Sequence, residues 1–378
     1  MKKVKILISF IIIVFCLFLV GGCYDSQDIN EKLIVTSIAF DFKNDEIWYY
    51  LEIANIESGK SDETSSSKYK CIVLKASGKT LIEVRDKLDA QLDKPLYLSG
   101  VSSIIFTENF ANEYLVEYLY RFRADETYRK KVSSVITSED PEEIYKKIHE
   151  KNASVGFLID GTLETMNKTG KSFIRTTMRL LENLSTKYTG ILIPRFDLNE
   201  NTVYLSGYSV ISDSKIAGFL PLEDSKGTIF LKTNKVKFQY IIPFRDINLT
   251  IEVILNKRKI KTNYENNKIT FNVQIDFEAE LMYGDKKTPY GFVNEAIKEA
   301  EQTLKSVLEN EMSSAIEKAQ KDFECDYLQF DDVFRIKYPE IFKEMDWGNE
   351  FKNANVETVI NVNLRSKKML DYGLNEVR

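Results

Sequence analysis

Four cysteines and one histidine hold most of the nucleophilic and metal-ligating chemistry in this 378-residue chain. Cys23 has the most specific surroundings. Lys2, Lys3 and Lys5 precede an apolar run, Ile6 to Val20, broken only by Ser9, and Gly21-Gly22 then lead into Cys23. Positive charge, an apolar stretch and small residues in that order read as a secretory signal. A cysteine directly after the cut is the lipobox arrangement, in which its sulfur takes a diacylglyceryl group and becomes the new N-terminus. Leu19 lies four residues before Cys23 and Val20 three before it, one place off the commoner leucine position. The alternative is an uncleaved anchor, but the apolar run falls short of the roughly 20 residues a span needs. Two acyl chains hold a protein on a bilayer at about 0.8 kcal/mol per buried methylene, whereas one chain is marginal.

The other reactive side chains are less telling. Cys16 leaves with the signal, and Cys71 and Cys325 are expected as free thiols, since a chain of this length does not need a disulfide staple. His149 stands between Ile148 and Glu150 in a charged helical stretch, which predicts a surface position. A single histidine leaves little room for a zinc site or for a Ser-His or Cys-His nucleophile. Glu139-Asp140 with Glu142-Glu143 read as first-turn carboxylates at a helix start. Lys257-Arg258-Lys259 could touch anionic headgroups, but reads better as a solvated strand end. Trp48, Tyr49 and Tyr50 could line a ligand pocket, and alternation puts Tyr49 on the opposite face from the other two. No P-loop, GxGxxG, HExxH, CxxC or GxSxG motif occurs, so neither a cofactor nor an enzymatic activity is expected.

The elements that must position these residues fall into two styles. Residues 32–42 and 46–54 read as strands around a Lys43-Asn44-Asp45 turn, and the polar stretch 57–68 follows. A strand at 69–76, a helix at 79–92, a strand at 96–106, a helix from Thr107 to about Phe122 and a strand at 131–137 make an alternating α/β pattern. Pro141 opens further helices over 142–188. From 201 the pattern becomes a meander of strands at 203–211, 215–222 and 227–232, with Gly207, Gly218 and Gly227 expected at turns that need positive φ. Ile247 to Leu255, Ile269 to Leu281 and Val356 to Leu364 then alternate apolar with polar residues. Apolar positions from Val293 through Leu304 and Met312 to Ala319 keep three-four spacing, which predicts one long helix over 292–319 covering that sheet. The reading is α+β: a signal at 1–22, then mixed α/β domains at 23–200, 201–235 and 236–370, the last an antiparallel sheet packed by the long helix. Loss of the three lysines with the signal takes the formal charge from −5 to −8, which argues against a nucleic-acid partner.

A resemblance joins these pieces. Cys23-Tyr24-Asp25-Ser26-Gln27-Asp28-Ile29-Asn30, followed by Ile34-Val35-Thr36-Ser37-Ile38-Ala39-Phe40-Asp41, resembles the opening of the Ger(x)C lipoproteins, the C subunits of spore nutrient germinant receptors. Tyr24 and Ala39 stand where that family usually has Trp and Gly. Arg121, Arg123, Asp125 and Arg129 before Val132 to Ile136, the glycine-marked segment Gly207 to Gly227, and Tyr338-Pro339 with Trp347 and Phe351 are similar to later family segments. The resemblance spans nearly the whole chain after Cys23. Tyr327 to Asp332 stands in place of a Phe-Gly-rich step. The resemblance implies three successive α+β domains, lipidated at Cys23, on the outer face of the spore inner membrane. It also implies multipass A and B subunits as partners and a non-enzymatic part in assembly or signal coupling, with direct nutrient contact left open. The competing reading, a free-standing extracytoplasmic solute-binding lipoprotein, needs two similar α/β lobes about a hinge. A hydrolase is a poor third, with one histidine and no paired motif.

Overall fold

The computed structural model describes residues 31–55, 70–129, 131–172, 177, 180, 189–200, 202–284 and 294–365. Among them no helix is long and apolar enough to cross a membrane. The first strands, β1 (Leu33–Lys43) and β2 (Glu46–Asn55), form the expected hairpin, and Asn44 and Asp45 take left-handed φ values of 56° and 58° in its turn. β3 (Lys70–Gly78) adds antiparallel to β2. Then α1 (Leu81–Asp89), whose first turn is capped by the Thr80 hydroxyl, packs Val84 and Leu88 inward.

The strand expected over 96–106 divides. β4 (Leu96–Tyr97) and β5 (Ser103–Thr107) both pair parallel with β1, separated by a tight turn at Leu98–Gly100. After α2 (Glu108–Ala124) comes β6 (Ser133–Thr137), then α3 (Pro141–His149) and α4 (Val155–Lys168). Every residue of β5 and β6 is buried, as central parallel strands with helices on both faces require. β7 (Ile191–Leu198), which the sequence reading missed, pairs parallel with β6 and antiparallel with β8 (Val203–Ser212), and β9 (Lys215–Pro221) closes the edge. The sheet order is β3-β2-β1-β5-β6-β7-β8-β9, with β4 beside β1. On β2, Tyr49 and Leu51 face α1 and α2, while Tyr50 faces α3 and α4.

The segment 201–235 is shared between two bodies. Its strands β8 and β9 belong to the first sheet, and the strand expected at 227–232 is instead the helix α5 (Lys226–Lys232). Gly227 to Leu231 are all buried there, so burial on every side overrides the strand preference of Thr-Ile-Phe. The glycines correct a second expectation, because none of the three serves a turn. Gly207 lies in β8 and Gly218 in β9; a Cβ would lie 2.2 Å from the Leu220 carbonyl oxygen at the first and 2.6 Å from the Phe323 ring at the second. At Gly227 a Cβ would lie 2.1 Å from the Glu311 carbonyl oxygen. Close approach of a neighbour, backbone at Gly207 and Gly227 and the Phe323 ring at Gly218, excludes a side chain at these places, and only Gly207 has a positive φ, 158°.

The second sheet runs β10 (Lys237–Phe244), β11 (Ile247–Glu265), β12 (Lys268–Gly284) and β13 (Asn355–Arg365). The first three are antiparallel, and β13 joins β12 in parallel. β10 alternates exposed and buried residues without a break, a strand the sequence reading passed over. The long helix α6 (Asn294–Glu317) lies on the apolar face, with Ala300, Leu304, Leu308 and Met312 each at most 1% exposed. Of three short helices that follow, α7 (Phe330–Lys337), α8 (Pro339–Glu344) and α9 (Trp347–Asn353), the first brings Phe330 and Phe334 and the last Trp347 and Phe351 to the other half of that face.

Candidate functional site

Cys23, the expected lipidation site, lies outside the described residues. Among those described, two constellations carry chemistry, one on each face of β2. The first centres on Glu52, fully buried on the face covered by α3 and α4. Its Oε2 accepts hydrogen bonds from Thr36 Oγ1 (2.7 Å), Ser37 Oγ (2.8 Å), Ser154 Oγ (2.9 Å) and the Gly156 amide (3.1 Å). Its Oε1 accepts from the Val155 amide (2.7 Å) and from His149 Nε2 (2.8 Å). A carboxylate only accepts, so Nε2 carries the proton. The carboxylate therefore sits on the N-terminus of α4, where free amides and the helix dipole favour negative charge. Burial pushes the Glu52 carboxyl up, but the bonds from His149, the Gly156 amide, Thr36 and the Val155 amide outweigh it and hold it below its ordinary value.

This arrangement corrects the surface position expected for His149, whose side chain is only 18% exposed and is tied to a buried acid. The helix phase that places Ile144, Tyr145 and Ile148 inward carries His149 to the margin of the same face. Cys71 on β3 joins the group: its Sγ, a His149 ring nitrogen and a Glu52 carboxylate oxygen lie within 4.8 Å of one another. Cysteine, histidine and carboxylate are donors that zinc accepts. Here, however, six protein groups already occupy the Glu52 lone pairs. Burial, with the Glu52 charge adding to it, pushes the Cys71 thiol up to about 12, which makes it a poor nucleophile at neutral pH. The constellation works as a lock that clamps β1, β2, α3 and α4. Cys71 and Cys325 are both free thiols, as expected.

The second constellation lies on the opposite face of β2, between α1 and α2. A cavity of about 110 Å³ is floored by Phe40 and Tyr49 and walled by Arg85 of α1, by Tyr118 and Arg121 of α2 and by Asp125 just past its end. The Phe40 and Tyr49 rings stack at 4.5 Å, and the Tyr49 and Tyr128 hydroxyls lie 3.4 Å apart. Two separate sequence signals meet here: Tyr49 from the aromatic triplet, and the arginine-rich segment that begins at Arg121. Trp48 and Tyr50 are on the other side of the sheet. The sequence reading missed Arg85, which contributes through helix packing that no local pattern announces. The Lys257-Arg258-Lys259 run is not the solvated strand end expected but lies in the middle of β11, where the half-buried Arg258 is bound to the Leu231 carbonyl and, at 3.0 Å, to Asn234 Oδ1.

The comparisons with known proteins agree over most of the chain. Residues 25–198 match the family described as spore germination protein N-terminal domain, and residues 206–368 match spore germination B3/GerAC like, C-terminal. Spore germination protein B3 of Bacillus subtilis (strain 168) is 23% identical, covering 93% of this chain and 98% of its own length. Spore germination protein A3 of the same organism is 26% identical, covering 96% of this chain and 97% of its own. The crystal structure of the GerBC protein superposes with a TM-score of 0.57 at 16% identity, over 87% of this chain and 96% of that one. The fold is shared with that protein.

Proposed function

Given that this chain belongs to the GerAC-like family of spore germination proteins, we propose that it is the lipid-anchored C subunit of a nutrient germinant receptor. On this reading Cys23 carries the lipid that holds the protein on the outer face of the spore inner membrane. The body beyond it assembles with multipass A and B subunits and couples nutrient sensing to the start of germination, without catalysis of its own. The observation that carries the reading is the succession of two family matches that together take in nearly everything after Cys23. The two bodies also differ in kind, one a mixed sheet between helices and the other a sheet covered on one face. A solute-binding protein with two alike lobes is built differently.

The test is Cys23→Ala, with lipid labelling, membrane fractionation and nutrient-triggered germination read together. Loss of label, release from the membrane and a blunted nutrient response are expected. Full retention and response without label would sink the anchoring role. Co-purification from detergent-solubilised spore membranes tests the partners: multipass subunits should come down with the wild-type chain.

A further inference from the structure

We propose that the cavity between α1 and α2 is a binding site for a small carboxylate with an apolar body. This deepens the receptor reading and rests on it for the ligand's biological use, but not for its chemistry. The walls supply cations: Arg85 and Arg121 approach from two different helices. Arg85 spends its Nε on Asp89, at 2.9 and 3.1 Å from the two carboxylate oxygens, and that bond does not use its terminal nitrogens. Arg121 is 3.4 Å from Glu117 through its own Nε. Guanidinium groups presented in this way are suited to paired bonds with a carboxylate.

The floor and sides supply the rest of the recognition. Leu81, Phe122 and the stacked Phe40 and Tyr49 rings offer apolar surface. Three phenols crowd the site, with Tyr49, Tyr118 and Tyr128 only 5–8% exposed. The Tyr118 hydroxyl is buried with the Tyr128 hydroxyl as its nearest phenolic neighbour, so the two hydroxyls crowd one side of the cavity. Burial keeps all three phenols protonated and therefore able to donate. A cavity of about 110 Å³ is smaller than the ~150 Å³ that accommodates benzene, so the occupant is a molecule of a few heavy atoms. Asp125 on the rim lets the site tell two sources of that chemistry apart. Its Oδ1 accepts from the Thr127 amide and hydroxyl, and its charge repels a simple organic acid while attracting an amino acid's ammonium group.

The mature chain in detergent is titrated with propionate and with L-alanine, and with 1-propanol and ethylammonium as controls, by saturation-transfer NMR and thermal melting. Both carboxylates should bind saturably and raise the melting temperature, while the controls do neither. Arg85→Gln and Arg121→Gln should each weaken binding by about tenfold or more. Alanine binding tighter than propionate, with the gain lost in Asp125→Asn, assigns amino acids; equal binding assigns simple acids. Absence of saturation below about 10 mM for both carboxylates overturns the site, as does binding unchanged in both arginine variants. Should Arg85→Gln fail to fold, the half-exposed Arg121→Gln carries the test alone. Absence of binding by the wild-type chain, with intact co-purification of the multipass subunits, rejects this site and not the receptor reading.

Discussion

At the scale of single residues, the decisive group is one the sequence presents as unremarkable. Glu52 occupies an ordinary alternating position in Glu46 to Asn55, and nothing nearby announces that Ser154, Val155 and Gly156 will meet it a hundred positions later. His149 was legible as a residue but not as a partner, because helix phase alone does not say which strand lies beneath. Glu52→Gln places an amide NH₂ among donors and should cost about 3–5 kcal/mol in chemical denaturation, the usual penalty for breaking a buried charged network. Because the folded carboxyl is held below its ordinary value, its stabilising contribution is fully present above that ordinary value and fades as pH falls through the folded one. Glu52→Gln should therefore flatten the acid limb of the stability profile. Asp331 behaves in the opposite sense. Burial, then the charges of Asp326 and Asp332, raise its carboxyl, while Asp326 takes the amides of Phe330 and Asp331 and the Trp347 indole. A raised acid favours the fold at low pH and loses that contribution as pH climbs through the folded value. Asp331→Asn should thus raise the melting temperature at pH 8 more than at pH 5; a uniform or negative change would reject this account.

At the scale of elements, the second sheet and its helix were the most legible part of the chain. Strict alternation in β11 and β12 and the three-four stripe of α6 each demand one buried face, and each meets that demand in the other. Leu304 is fully buried under the sheet, so Leu304→Ala should cost roughly 2–5 kcal/mol in a thermal or denaturant melt. If α6 instead served chiefly as a docking helix, the melt would stay put and only subunit co-purification would suffer. The shorter pieces were legible only in part. Residues 227–232 carry strand-forming side chains yet coil into α5, because Gly227 lets that helix lie directly on the α6 backbone at Glu311. Gly227→Ala forces these helices apart and should destabilise by about 1–3 kcal/mol, as overpacked sites do. β7 was hidden by Pro194, which suggests a break; in the sheet this residue stands opposite Tyr208. The arginine-walled cavity was half legible: its aromatics and α2 arginines stood out, whereas Arg85 depended on how α1 lies across the sheet.

At the scale of the whole molecule, the two bodies share a seam rather than a linker. β8 sends Val203 and Leu205 into one core of the first sheet, and Tyr208 and Val210 into the core of the second. A fragment ending at 200 removes both β8 and β9 from the first sheet. It should be markedly less soluble and less stable than one ending at 221, as circular dichroism melts of the two would measure. Equal stability would mean that residues 201–235 form a unit of their own. The second body has a further consequence that lies in its length. β11 and β12 run for 19 and 17 residues before turning at Asn266 and Asn267. At about 3.3 Å per residue the ribbon is ~60 Å long. Its near half lies under α6, and its far end is grasped by Lys337, whose Nζ donates to the Thr262 carbonyl at 2.6 Å. Such a ribbon is a lever. A tilt of about 5° at its root carries its tip through about 5 Å, the pitch of one helical turn, so a displacement too small to disturb packing at one end becomes a full step at the other.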